Sequence, residues 1–167
     1  MPTDAAYQII TDWQQLEASA AEAIRAFWIG ENASVVGDEA DRRLAQVVAH
    51  AQDGEGRITA VATAVPLLYP RLGQPMYYYR CFVGRAWRGR NLSRTLLRHT
   101  QAVLEAFARE HDFPCIGILL ELENEEFARV LQAPQWSVPA FTYIGKSERG
   151  LDLRVWYFRD ARLKRPE

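Results

Sequence analysis

The segment Arg88-Gly89-Arg90-Asn91-Leu92-Ser93 sets guanidinium groups and a glycine at the point where an apolar strand pattern gives way to a helical one. That is an arrangement for holding an anion. A helix N-terminus presents backbone N–H groups and the positive end of the helix dipole, and arginine adds a planar fork that suits bidentate contact with phosphate. Gly89 lets backbone approach a ligand closely, and Asn91 tolerates a left-handed turn and can cap the helix. Charge is concentrated there. From Gly56 to Leu104 there is no Asp or Glu, yet Arg57, Arg71, Arg80, Arg85, Arg88, Arg90, Arg94 and Arg98 fall in the span, in a chain whose formal net charge is −1. The competing reading is a solvated arginine-bearing helix face that keeps the domain soluble.

Around this turn the elements follow from pattern. Tyr77–Val83 reads as a strand that enters the turn Gly84–Asn91. The helix from Leu92 carries Leu96, Leu97, Val103, Leu104 and Phe107 on one side and Arg94, Arg98, Glu105 and Arg109 on the other, ending by Asp112 ahead of Pro114. Cys115–Leu122 is a nearly continuous apolar run, the signature of an interior strand covered on both faces, and a helix bridging two such strands implies a parallel right-handed crossover.

Upstream, Tyr7–Ile10 is a strand. Thr11 is read as the cap of a helix whose apolar positions Trp13, Leu16, Ala20, Ile24, Phe27 and Trp28 recur at helical spacing, with Asp12 in its first turn. Gly30–Asp41 reads as a turn with a second short helix, and Trp28 as a core residue before a substrate contact. Leu44–Ala51 and Arg57–Leu68 form a hairpin about Gln52–Gly56, and Pro66, Pro70, Gly73 and Pro75 predict a proline-rich loop before Tyr77. Downstream, Glu125 to Gln132 is a helix, and Phe141–Lys146 with Leu151–Phe158 a terminal hairpin. Its aromatic residues on both faces suggest a homodimer contact, against the default of core packing.

In this order, the elements and the turn resemble the GCN5-related N-acetyltransferases (GNAT). Val83, Arg88, Gly89, Leu92, Leu96 and Leu97 fit the family's V-x-P-x-x-R-G-x-G-[IL]-[GA]-x-x-L-L pattern; Arg85, Asn91 and Ser93 depart from it, and Ala86 stands where the family's shorter R/Q-x-x-G-x-G/A motif has Gln or Arg. The resemblance covers nearly the whole chain. It implies an α/β fold with a central mixed, mostly antiparallel sheet, one parallel βαβ crossover and splayed fourth and fifth strands. It also implies a single domain over 1–167, with 1–43 as an acceptor-side wall, 44–113 as hairpin, CoA-binding strand, turn and helix, and 114–167 as interior strand, helix and hairpin. Acetyl-CoA would then be the co-substrate. Its pantetheine arm would lie between the splayed strands and meet backbone near Phe82 and Val83, its pyrophosphate would meet Arg88, Gly89, Arg90, Asn91, Leu92, Ser93 and Arg94, and Asn124 would match the family's asparagine after the fifth strand. A tyrosine usually stands about seven residues further on; here that position is Leu131, and the nearby Trp136 has no acidic proton to give.

Candidate bases are Glu121 and Glu123 at the end of the interior strand and Tyr79 on the splayed one, each weighed against an ordinary solvated charge or strand-forming tyrosine. Tyr77 and Tyr79 share one strand face and Tyr78 the other. His50 is read as a sheet-face residue before a base, and His99 and His111 as solvent-facing.

The first reading is an acyl-CoA-dependent N-acyltransferase that moves acetyl to a small-molecule or peptide amine by direct attack, without a metal; the alternative is a CoA-binding or acyl-CoA-sensing module without turnover. A nucleic-acid-binding domain built on the arginines and Trp87 ranks third, because the chain as a whole is slightly acidic. At 167 residues and 49% hydrophobic content the chain suits one soluble domain, with no apolar run long enough to span a bilayer and no membrane partner. Cys81 and Cys115 are too few for a disulfide scaffold or metal site, and Met1-Pro2-Thr3-Asp4 does not begin a secretory signal, so a cytoplasmic protein is expected.

Overall fold

The computed structural model describes residues 6–165. Its strands join in one seven-stranded mixed sheet of order β1-β2-β3-β4-β5-β7-β6. The strands are β1 (Tyr7–Thr11), β2 (Val47–Asp53), β3 (Ile58–Tyr69), β4 (Gln74–Val83), β5 (Gly117–Glu121), β6 (Thr142–Lys146) and β7 (Asp152–Tyr157). Helices α1 (Ala18–Gly30), α2 (Gly37–Leu44), α3 (Leu92–Glu110) and α4 (Glu125–Val130) lie between them, with a short 3-10 turn at Arg85–Trp87. Contacts divide the chain into two compact units, one holding the residues up to Ala64 with Arg80–Val103, the other Val65–Tyr79 with the residues from Leu104 onward.

In the first unit β1 pairs antiparallel with β2, and β2 with β3. Ile24, Trp28, Ala40, Leu44, Val47 and Val61 are buried together, with Phe27 and Phe82 packed edge-on against one another at 5.8 Å. Trp28 is therefore core. The helix expected from Thr11 begins later, at Ala18. Thr11 is the last residue of β1, the Asp12 N–H donates to the Val48 carbonyl at 2.8 Å and Gln14 has φ +62°, so the chain turns before α1 starts. Apolar periodicity ran through this turn because Trp13 and Leu16 pack inward without being helical.

The second unit carries the parallel pair. Tyr77, Tyr78 and Tyr79 of β4 stand opposite Ile118, Leu119 and Leu120 of β5; this ladder ends at Tyr79, while β4 runs on to Val83. The other edge of β5 pairs antiparallel with β7, so β5 is interior and residues Gly117 to Leu120 are all buried. Met76, Ile116, Leu119, Leu153 and Val155 form the core. The expected proline-rich loop is instead a tight turn, Pro70–Gly73. β3 continues through Pro66 to Tyr69, β4 begins at Gln74, and the Gly73 N–H, at φ +61°, closes back on the Tyr69 carbonyl at 2.9 Å. Pro66 is exposed and Pro75 keeps its carbonyl in use, accepting from Ile116 N–H, so neither ring stops its strand.

Arg154 of β7 is only 2% exposed. Its guanidinium donates to the carbonyls of Leu131 at 3.0 Å and Pro134 at 3.2 Å and lies 4.3 Å from the centroid of the Trp136 ring, fastening the chain that leaves α4. Burial lowers its pKa from the usual arginine value. Arg154→Ala takes the second donor from each of two carbonyls, leaving Leu131 with Trp136 Nε1 and Pro134 with the Tyr143 N–H, and empties the space beneath Trp136; it is expected to cost about 2–4 kcal/mol in a urea denaturation series. Cys115 is fully buried and its thiol is pushed up to about 11, chiefly by desolvation. The thiolate is the reactive form, so iodoacetamide at pH 8 is expected to leave Cys115 intact in the folded protein and to modify the half-buried Cys81 first, as peptide mass mapping will read.

Candidate functional site

The turn after β4 is assembled within the first unit. The Gly84 N–H donates to the Thr59 carbonyl at 2.8 Å, and a Cβ at Gly84 would lie 3.1–3.2 Å from Glu31, Phe27 and the Thr59 carbonyl, so the strand end is packed closely against β3 and α1. The Glu31 carboxylate then accepts the Arg85 N–H at 3.1 Å. Beyond the 3-10 turn the backbone twice takes the left-handed region, at Gly89 (φ +77°) and Asn91 (φ +60°). The Asn91 carbonyl accepts both N–H and Oγ1–H of Thr95, each at 3.0 Å; this is the first bond of α3, and the N–H groups of Leu92 and Ser93 lie ahead of it at the positive end of the helix. Asparagine is the non-glycine residue best suited to that φ, which accounts physically for its standing where the resembling pattern has a second glycine.

The side chains of the turn are arranged by local contacts. Arg88 Nε donates to the Val83 carbonyl at 3.1 Å and its guanidinium stands 5.8 Å from the Phe82 ring centroid. Arg90 lies 5.2 Å from the centroid of Trp87, which meets Tyr7 edge-on at 6.1 Å. Leu92 is buried and anchors the helix start, so it offers a ligand only backbone; Arg88, Gly89, Arg90, Asn91 and Arg94 are exposed. A Cβ built on Gly89 meets nothing within 4 Å, so the face of the turn is open. Exposed cations, forward-pointing N–H groups and an open glycine fit a pyrophosphate.

The second unit brings Glu121 and Glu123 together through Arg149, a residue whose place in the sequence, in the connection of the terminal hairpin, gives it no role. Arg149 Nη1 donates to Glu121 at 2.6 Å and to Glu123 at 3.1 Å, and the two carboxylates raise its pKa, the Glu123 hydrogen bond first. Tyr78 donates its hydroxyl to Glu121 at 3.1 Å. Tyr79 is not part of this cluster: it is 7% exposed and on the opposite strand face. Parallel pairing of Tyr78 with Leu119 puts Tyr78, Leu119 and Glu121 on one side, a parity available only once the register is known. Asn124 sits at the start of α4, its carbonyl accepting the Ala128 N–H at 3.0 Å. At Leu131 the chemistry lies in the carbonyl, which receives Trp136 Nε1 at 3.1 Å as well as Arg154.

Of the histidines, His111 is exposed and donates Nδ1–H to the Phe107 carbonyl, 2.9 Å away. His99 is half-buried, with Nε2 2.7 Å from the Thr11 hydroxyl, and burial lowers its pKa. A lowered folded-state pKa means the native state binds its proton later than the unfolded chain does. The stability from neutral His99 is thus complete above about pH 6.5 and lost as pH falls below it, and His99→Gln is expected to flatten that limb of a pH–melting-temperature profile. His50 pairs with Asp12, which sequence gave as a helix residue; their atoms Nδ1 and Oδ2 are 2.6 Å apart and both side chains are 5% exposed.

No protein-family model and no curated protein matches the chain. Solved structures do match it in fold. The acetyltransferase of GNAT family from Streptococcus pneumoniae aligns at 14% identity over 91% of this chain and 99% of its own, TM-score 0.59. The GNAT family N-acetyltransferase YhbS from Escherichia coli, in complex with CoA, aligns at 15% identity over 92% and 82%, TM-score 0.60. The yncA acetyltransferase from Salmonella typhimurium with its cofactor acetyl-CoA aligns at 17% identity over 93% and 96%, TM-score 0.52. The chain has the fold of the GNAT acetyltransferases, as its element order and turn implied. Among the described residues no helix is long and apolar enough to cross a membrane and no three metal-binding side chains come together.

Proposed function

We propose that this chain is an acyl-CoA-dependent N-acyltransferase that carries acetyl from acetyl-CoA to an amine. The observation that carries the reading is the turn from Val83 to Thr95, where Gly89 and Asn91 take left-handed backbone and expose the start of α3 beside Arg88, Arg90 and Arg94. On this reading the pyrophosphate takes the N–H groups and guanidinium groups of Arg88–Arg94, and backbone at Phe82 and Val83 takes the adjoining arm. The CoA and acetyl-CoA complexes of the Escherichia coli and Salmonella proteins, which share the fold, support CoA as the ligand class.

The amine attacks the thioester carbon directly, its nitrogen losing a proton as the C–S bond breaks and the thiolate leaves. Holding the two reactants in line is the larger part of such catalysis. Glu121 and Glu123 are the proposed proton acceptors, with Tyr78 orienting Glu121 and Arg149 holding both; Asn124, at the start of α4, takes the role of the resembling family's asparagine. Tyr79, buried on the other strand face, is retained only as a candidate. The occupation of Glu121 by Tyr78 and Arg149 favours a second reading, a CoA-binding module without turnover. Partner and compartment are proposed as an amine acceptor, no nucleic acid, no membrane, a homodimer through the terminal hairpin, and the cytoplasm. Release of free thiol from acetyl-CoA, followed with a chromogenic disulfide over a panel of primary amines, separates the readings. Amine-dependent release that falls about tenfold or more in Glu121→Gln supports transfer; binding of acetyl-CoA with no release from any amine supports the sensor.

A further inference from the structure

A cavity of about 560 Å³ opens in the first unit where β1, β2 and the start of α1 meet. Its polar wall is the Asp12–His50 pair with Glu17 and Gln52, and Ile10 and Ile58 supply apolar surface. We infer that this cavity is a ligand site for a small amine, with the Asp12–His50 pair as its hydrogen-bond acceptor. The inference does not rest on acyl transfer.

Three observations carry it. The size falls within the range of small-molecule sites. Asp12 and His50 are buried and hydrogen-bonded to one another, so the pair stands as one fixed polar group on the cavity wall. An ionised Asp12 can only accept, so Nδ1 of His50 donates to it; in the neutral ring Nε2 then carries a lone pair, and His50 itself lines the cavity. The charge of the lining points the same way: it holds two carboxylates, and among the described residues lining it none is Lys or Arg. A ligand that donates hydrogen bonds and carries positive charge on a short apolar body is complementary; an anion of the same shape is not.

The test uses n-butylamine, protonated at pH 7, against butyrate of equal chain length, with the full-length protein labelled with ¹⁵N in its histidine rings. The expected result is a saturable shift of the His50 ring signals with butylamine and none with butyrate, and binding weakened about tenfold or more in Asp12→Asn. Ala20→Leu, which fills the cavity from α1 without touching the pair, is expected to abolish the shift while leaving the fold intact by circular dichroism. An unmoved His50 signal, equal shifts with amine and carboxylate, or full binding by folded Ala20→Leu overturns the proposal. Binding of CoA at Arg88–Arg94 is measured separately and leaves this result unaffected.

Discussion

Gly117→Ala is expected to be the most damaging single-methyl change in the protein, lowering stability by about 3 kcal/mol or more and leaving little folded chain at 37 °C. Gly117 begins β5. A Cβ there would lie 2.3 Å from the Trp156 carbonyl oxygen, 2.9 Å from the Met76 Cε and 3.0 Å from the Tyr157 Cα. Met76 can swing aside, but the other two are backbone of β7, held by the antiparallel ladder that pairs Gly117 with Tyr157 and Ile118 with Trp156. Relief requires prising β7 from β5 and breaking bonds in the ladder on which the second unit is built. Thermal unfolding followed by circular dichroism checks this, with Gly30→Ala as the control, since a Cβ at Gly30 meets nothing within 4 Å.

The second large effect is on ligand affinity. Gly89→Val is expected to weaken acetyl-CoA binding about tenfold to a hundredfold while lowering the melting temperature by no more than about 2–8 °C. Space is not the obstacle at this exposed position. The backbone is, because φ +77° is strained for a β-branched residue by roughly 1–2 kcal/mol, enough to move the turn to another conformation and turn the N–H groups ahead of Thr95 away from the phosphate. Asn91 supplies an internal check. With φ +60°, Asn91→Gly is expected to bind as the native protein does and Asn91→Val to behave like Gly89→Val. Isothermal calorimetry on the four proteins gives the order; equal affinity in all of them would show that the conformation of the turn has no part in binding.

The parts of this fold legible in the sequence are those set by local period. The apolar stripe of α3, the nearly continuous apolar run of β5 and the glycine-arginine turn between β4 and α3 each carry their own signal, and each lies where the pattern put it. What escaped needed the register of distant strands. Asp12 looks like a first-turn helix residue until β1 and β2 pair and bring His50 beside it, 38 positions along the chain. Tyr78 and Tyr79 are indistinguishable as strand formers, and only the alignment of β4 with β5 gives Tyr78 to Glu121. Arg149 lies in the β6–β7 turn, where sequence predicts only the connection of a hairpin and gives no sign of two carboxylates held in place. Prolines misled in the opposite direction: Pro66 and Pro75 read as a loop, but their positions in β3 and β4 leave the ladders intact.

On the proposed function, the turn from Arg88 to Arg94 holds the pyrophosphate of a CoA thioester. Calorimetric titration of the purified protein with acetyl-CoA and with CoA, repeated on Arg88→Ala, tests it most directly. Saturable one-site binding of both ligands is expected, with a loss of about tenfold or more in the variant, since Arg88 would carry a charge-assisted phosphate contact and also fastens the turn to Val83. Absence of heat from either ligand, or equal affinity in the variant, would contradict it.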